Sequence, residues 1–146
     1  MTSAYRLTGV LDSSAVIAYL KGERGAALVR RIIRNTIMST VNLAEVLQWG
    51  IRNGRDIEQL PARLIKTGLI FINYTPTHSL EAGKMYPGTY LFDISLGDRA
   101  CLSLAKTLGL PAYTADTDWE DLDVGAEVRL IRRRRTRVNP SQSPRP

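Results

Sequence analysis

Cysteine and histidine occur once each in the 146 residues, as Cys101 and His78. A lone cysteine closes no internal disulfide, so a disulfide-stapled scaffold is excluded and a reducing compartment is expected. The same scarcity excludes a structural zinc site, which needs four nitrogen or sulfur ligands. The opening segment lacks the long apolar run of a signal peptide or membrane span, and Asp12 interrupts it. Neither a GxxxxGK[ST] loop nor a GxGxxG turn occurs, which removes the common nucleotide-phosphate cradles. A cytoplasmic protein without membrane attachment is the expectation.

What is present is ordinary for a folded domain: 44% hydrophobic and 23% charged residues. The length suits one domain with a proper core. The net charge of +6 is unevenly placed, because seven Arg and no acid lie from Arg129 onward. The remainder holds 13 basic and 14 acidic residues and is close to neutral. The sequence thus divides into a body, residues 1–131, and an Arg-rich tail, residues 132–146, expected to be disordered. Arg132, Arg133, Arg134, Arg135 and Arg137 make this tail either a contact for an anionic partner such as RNA or a solvated terminus.

Apolar spacing predicts strands at Leu7–Leu11, Thr36–Ser39, Leu69–Tyr74, Pro111–Thr114 and Val128–Ile131. Between them, helices are predicted within 15–34 (broken near Lys21-Gly22), 40–53, 57–67, 77–85 and 95–108, with a turn at Pro87-Gly88. This alternation implies an α/β fold, a three-layer α/β/α sandwich on a mainly parallel sheet. Ligands then sit beyond the carboxyl ends of the strands.

Four acids occupy that edge. Asp12 follows the first strand, Glu45 lies one turn into the helix after the second, Asp98 opens the helix from Ser95, and Asp116 follows the Pro111–Thr114 strand. Each has a plain structural reading: Asp12 as a helix cap, Asn42 with Glu45 and Ser95 with Asp98 as capping boxes, Asp116 as a turn residue. Together they point elsewhere. Clustered carboxylates repel and raise one another's pKa unless a cation intervenes. All-oxygen donors select Mg2+ or Mn2+, and such ions polarise phosphoryl groups and activate water. His78 reads as a surface helix residue, and Trp49 and Trp119 read as packing groups.

LDSSAVIAYL, STVNLAEVL, SLGDRACLSLAKTLGLP and YTADTDW, in this order, resemble the PIN-domain ribonucleases, specifically the VapC toxins of bacterial toxin–antitoxin pairs. The resemblance runs from about Leu7 to Ile131. It implies an Mg2+- or Mn2+-dependent endoribonuclease that cuts structured RNA, commonly tRNA or ribosomal RNA, with a cognate antitoxin covering the groove and frequent homodimerisation. By position it makes Asp12, Glu45, Asp98 and Asp116 catalytic, with Asp12, Asp98 and Asp116 the metal ligands and Glu45 orienting or deprotonating water. Ser14 and Thr114 become hydroxyls that orient those carboxylates, and Arg99 a contact to RNA phosphate or a surface ion pair. Asp93 departs from the family pattern. Asp118 reads either as a further pocket acid or as the cap of a helical turn. The alternative from another class is an RNA-binding module with a degenerate metal site that uses the basic tail.

Overall fold

Side chains alternate across a strand, and in this protein the alternation divides the core in two. A computed structural model describes residues 6–134. Its sheet has five strands, β1 (Gly9–Leu11), β2 (Thr36–Ser39), β3 (Ile70–Ile72), β4 (Ala112–Thr114) and β5 (Val128–Leu130), in the order β3-β2-β1-β4-β5. Every pairing is parallel. Leu11 and Met38 face one core with Val16, Val29, Val46 and Leu64; Val10 and Ile37 face the other with Leu102, Leu104 and Trp119. β1 and β2 are buried on both faces, as a covered parallel sheet requires.

The first face is covered by α1 (Ser13–Lys21), α2 (Ala26–Ile32), α3 (Thr40–Arg52) and α4 (Leu60–Lys66). Gly22, at φ 65°, closes α1 in the left-handed conformation and accounts for the break between α1 and α2. The second face carries α5 (Pro76–Lys84), α6 (Tyr86–Thr89) and α7 (Leu96–Leu108). The three-layer expectation therefore holds, and the mainly parallel sheet is wholly parallel among the described residues.

Three local readings need correction. Pro87-Gly88 lies inside the short helix α6, because a proline in the first helical turn loses no hydrogen bond that it would otherwise make. His78 is buried; its Nδ1 accepts the Thr75 N–H while Thr75 Oγ1 accepts the His78 N–H, a capping box at the start of α5. Asn42 does not cap α3, since Ser39 does so by accepting the Val41 N–H.

The strand order reverses direction at β1 and β4, the point at which an open parallel sheet leaves a crevice at its carboxyl edge. Asp12 and Asp116 leave the sheet on the two sides of that crevice.

Candidate active site

Asp12 sits between β1 and α1 at the cap position, yet its side chain makes no capping bond. Its Oδ2 instead accepts from Ser14 Oγ at 2.7 Å and from Thr114 Oγ1 at 3.0 Å. Each hydroxyl has one proton, now committed to Asp12. Each then accepts a backbone N–H, Ser14 from Ala115 at 2.9 Å and Thr114 from Asp116 at 3.0 Å. The loop after β4 is thereby tied to the acid after β1, with Ser14 and Thr114 in the orienting positions expected of them. Asp12 Oδ1 is buried without a hydrogen-bond partner. Burial, opposed by the two hydroxyls and reinforced by Asp98 and Glu45, pushes the Asp12 carboxyl up to about 7.

Glu45 reaches the same edge from α3. Asn42, one turn earlier, donates from Nδ2 to Glu45 Oε1 at 2.7 Å and to the Gly97 carbonyl at 2.9 Å. A Cβ placed on Gly97 would lie 2.5 Å from Glu45 Oε2, so glycine is what lets the carboxylate rest against α7. Asn42 and Gly97 are the positioning residues that the sequence reading missed. Their signals were a polar side chain three residues before Glu45 on the same helix face, and a glycine just before Asp98.

Asp98 fulfils its capping reading. Its Oδ2 accepts the Ser95 N–H at 2.9 Å while Ser95 Oγ accepts the Asp98 N–H at 3.1 Å, a complete capping box. Partial burial raises its carboxyl above the ordinary range, with Ser95 opposing the shift and Glu45 and Asp116 adding to it. Asp116 Oδ1 caps the 3-10 turn Thr117–Asp121 by accepting the Asp118 N–H at 2.9 Å. Asp118 is thus the capped residue rather than the cap. The four acids therefore share one electrostatic environment, with Asp98 facing both Glu45 and Asp116. Beneath them Cys101 is fully buried, its thiol held well above the usual range chiefly by burial and then by Asp12, Asp98 and Glu45.

Among the described residues, no three His, Cys, Asp or Glu side chains are gathered tightly enough to enclose an ion. The donor set nonetheless suits a hard divalent cation: the donors are carboxylate oxygens, and Asp12 Oδ1 is a buried acceptor with nothing to accept.

Other expected residues lie elsewhere. Arg99 donates to the Ala82 carbonyl at 3.3 Å and stacks over Tyr86, so its guanidinium is engaged with α5 and α6 rather than with a carboxylate. Asp93 is exposed with φ 55° after the 3-10 turn Tyr90–Phe92. Arg132 bonds Glu23 and the Arg24 carbonyl, both at 3.2 Å, and Arg134 donates to the Thr117 carbonyl at 3.0 Å. The Arg133 side chain has no hydrogen bond or ion pair among the described residues, although its carbonyl accepts from Arg24 at 2.8 Å. Arg135 and Arg137 lie outside the described residues.

Comparison with known proteins places these features in a family. The PIN domain matches residues 9–125. No curated protein sequence matches. Among solved structures, a toxin–antitoxin complex from Klebsiella pneumoniae is similar with a TM-score of 0.66 at 15% identity, over 86% of this chain and 98% of that one. DNA-bound VapBC from Salmonella typhimurium gives 0.66 at 14%, over 86% and 99%. A sarcin-ricin-loop-cleaving VapC toxin from Mycobacterium tuberculosis gives 0.63 at 16%, over 77% and 93%. At these identities the structures speak for the fold, and the family match speaks for descent: the chain belongs to the PIN domain family.

Proposed function

We propose that this protein is a divalent-metal-dependent endoribonuclease and the toxin of a type II toxin–antitoxin pair. The observation that carries the reading is the convergence of Asp12, Glu45, Asp98 and Asp116 at the sheet's crevice, with Asp12 Oδ1 buried and unsatisfied. The names of the similar structures, toxins in complex with antitoxins and a toxin that cleaves the sarcin-ricin loop, supply the biological setting. A cognate antitoxin, a structured RNA such as tRNA or ribosomal RNA, and a homodimer are the partners this reading assigns.

In this reading Asp12, Asp98 and Asp116 hold Mg2+ or Mn2+. When bound, such an ion neutralises charge on a phosphoryl oxygen and lowers the pKa of water. Asp12 is held in one orientation by Ser14 and Thr114, which spend their protons on Oδ2 and leave Oδ1 without a hydrogen-bond partner. Glu45 has Oε1 occupied by Asn42, so Oε2 is the atom left to orient the attacking water or take its proton. Asp98 is fixed by the capping box, which lets a ligand sit on a rigid helix start.

A panel of tRNA and ribosomal RNA fragments, incubated with and without Mg2+, tests the reading. Wild-type protein should produce discrete new ends only with metal. Asp12→Asn and Asp98→Asn should fold normally by circular dichroism and lose cleavage by about a hundredfold or more, the scale for disturbing a metal site. Wild-type rates in either variant would reject the assignment of ligands.

A further inference from the structure

A groove of about 600 Å3 begins at Glu45 and runs along α3 past Gln48, Trp49, Arg52 and Asn53, with Ser13 and Ile17 of α1 opposite. That volume falls within the ~300–1,000 Å3 usual for ligand clefts. Glu45, Gln48, Trp49 and Arg52 are spaced i, i+3, i+4, i+7, so one helix face presents them in a row from the acids outward.

Trp49 does not behave as the packing group expected from sequence. It joins neither hydrophobic core, whereas Trp119 is fully buried in the second, and the neighbours Leu43 and Leu47 pack on the first. The Trp49 ring is instead half-buried at the groove, with the Arg55 guanidinium 5.1 Å from its centroid. No carboxylate forms an ion pair with Arg52 or Arg55 among the described residues, in contrast to Arg129, Arg132 and Arg134. Seven residues of helix separate Arg52 from Glu45, about 10 Å at 1.5 Å per residue. A polyanion gains nothing from four carboxylates. It needs cations and a stacking surface nearby, and this groove has both.

We propose that the groove between α1 and α3 is a nucleotide subsite, in which Trp49 stacks on an unpaired RNA base beside the cut and Arg52 meets its phosphate. The proposal rests on the ribonuclease reading but concerns binding, so the two can fail separately. Exposed Gln48 is placed to meet the base edge, while the Asn53 amide donates to the Trp49 carbonyl at 2.8 Å. Base–aromatic stacking tolerates any base and needs no opening of the protein core. Single-stranded loops, whose bases can be splayed out, are the RNA elements that suit such a site.

The two tryptophans make the test direct, because buried Trp119 supplies a background that ligand cannot reach. Full-length protein in EDTA, where nothing is cut, is titrated with a single-stranded RNA heptamer while tryptophan emission and fluorescence anisotropy of labelled RNA are followed. The expected result is quenching that tracks binding. In Trp49→Phe the quenching should vanish while binding persists. Trp49→Ala should weaken binding roughly five- to 150-fold, the range for losing one base–aromatic stack. Arg52→Gln, at an exposed position with little consequence for folding, should weaken binding and reduce the salt slope by about 0.7.

RNA that binds without changing Trp49 emission, or that binds Trp49→Ala and Arg52→Gln as tightly as wild type, would overturn the subsite. So would an absence of heptamer binding, including the case in which only an antitoxin peptide occupies the groove. If wild type binds and quenches yet cuts nothing in Mg2+, the ribonuclease reading fails and the nucleotide site stands.

Discussion

Asp12 concentrates the site's electrostatic cost in one side chain. Its carboxyl is raised from 3.8 to about 7 by burial, so the folded state binds this proton more tightly than the unfolded chain. A raised folded-state pKa penalises folding once the unfolded carboxyl has ionised. The penalty is absent below about pH 3.8, grows between there and pH 7, and is complete above, on the order of 4 kcal/mol at 1.36 kcal/mol per pH unit. Asp98 shifts in the same direction, whereas Glu23 and Glu81 shift downward from 4.5 and so are already largely ionised at pH 5 and above. In EDTA the wild type should therefore lose melting temperature from pH 5 to pH 8, and Asp12→Asn should lose much less. Thermal melts of both proteins across that range check this; parallel curves would mean that Asp12 is not the group responsible. Gly97 offers a complementary experiment at the same scale. Ala is the better helix former by about 0.8–1 kcal/mol, and the atoms its Cβ would meet are the flexible end of Glu45. Gly97→Ala should keep or slightly raise the melting temperature while cleavage falls about tenfold or more, because the carboxylate must move. Unchanged cleavage would show that Glu45's resting place is immaterial.

At the scale of elements, the strands and long helices were legible because their apolar periods are set by the sheet and helix geometry themselves. β2 and the end of α7 at Leu108 agree with the sequence reading to the residue. β1 and β3 were read longer than they are, since Leu7 and Leu69 are apolar without joining the ladder. The site was legible in part. Position after a strand identified Asp12 and Asp116, but only tertiary contact shows that Asn42 serves Glu45 and Gly97 rather than the end of its own helix. His78 and Trp49 exchanged expected roles for the same reason: burial depends on what packs against a helix, which a single sequence does not state. The Arg run likewise changes meaning. Arg132 pairs with Glu23, whose carboxyl is lowered by Lys21 first and Arg132 second, and also holds the Arg24 carbonyl. Reciprocally, Arg24 holds the Arg133 carbonyl, so this stretch straps the chain after β5 to the loop between α1 and α2. Arg132→Ala should lower the melting temperature by about 2–4 °C, the equivalent of roughly 1 kcal/mol at this chain length, and leave the salt slope of RNA binding unchanged. A flattened slope would return Arg132 to the RNA-contacting residues.

The whole molecule brings together acids from α3, from α7 and from just beyond β1 and β4, segments separated by most of the chain, and like charges oppose that closure. A cation bound at the proposed site would reverse the balance, because a ligand held by the folded state and not by the unfolded chain stabilises it by RT ln(1 + [L]/Kd). At a hundredfold excess over Kd this is about 2.7 kcal/mol, or roughly 5–10 °C for a chain of this size. Asp98→Asn removes a charge that faces both Glu45 and Asp116. Without metal the variant should be as stable as wild type or more so, provided the relieved repulsion exceeds the 0.3–1 kcal/mol (about) lost at the helix start. With Mg2+ the order should change: wild type gains the full shift, while the variant, lacking one ligand, gains less at every concentration. Melting curves over a Mg2+ series decide the matter without any RNA present. Equal shifts in the two proteins would place the cation away from Asp98, and with it the chemistry assigned to the crevice between β1 and β4.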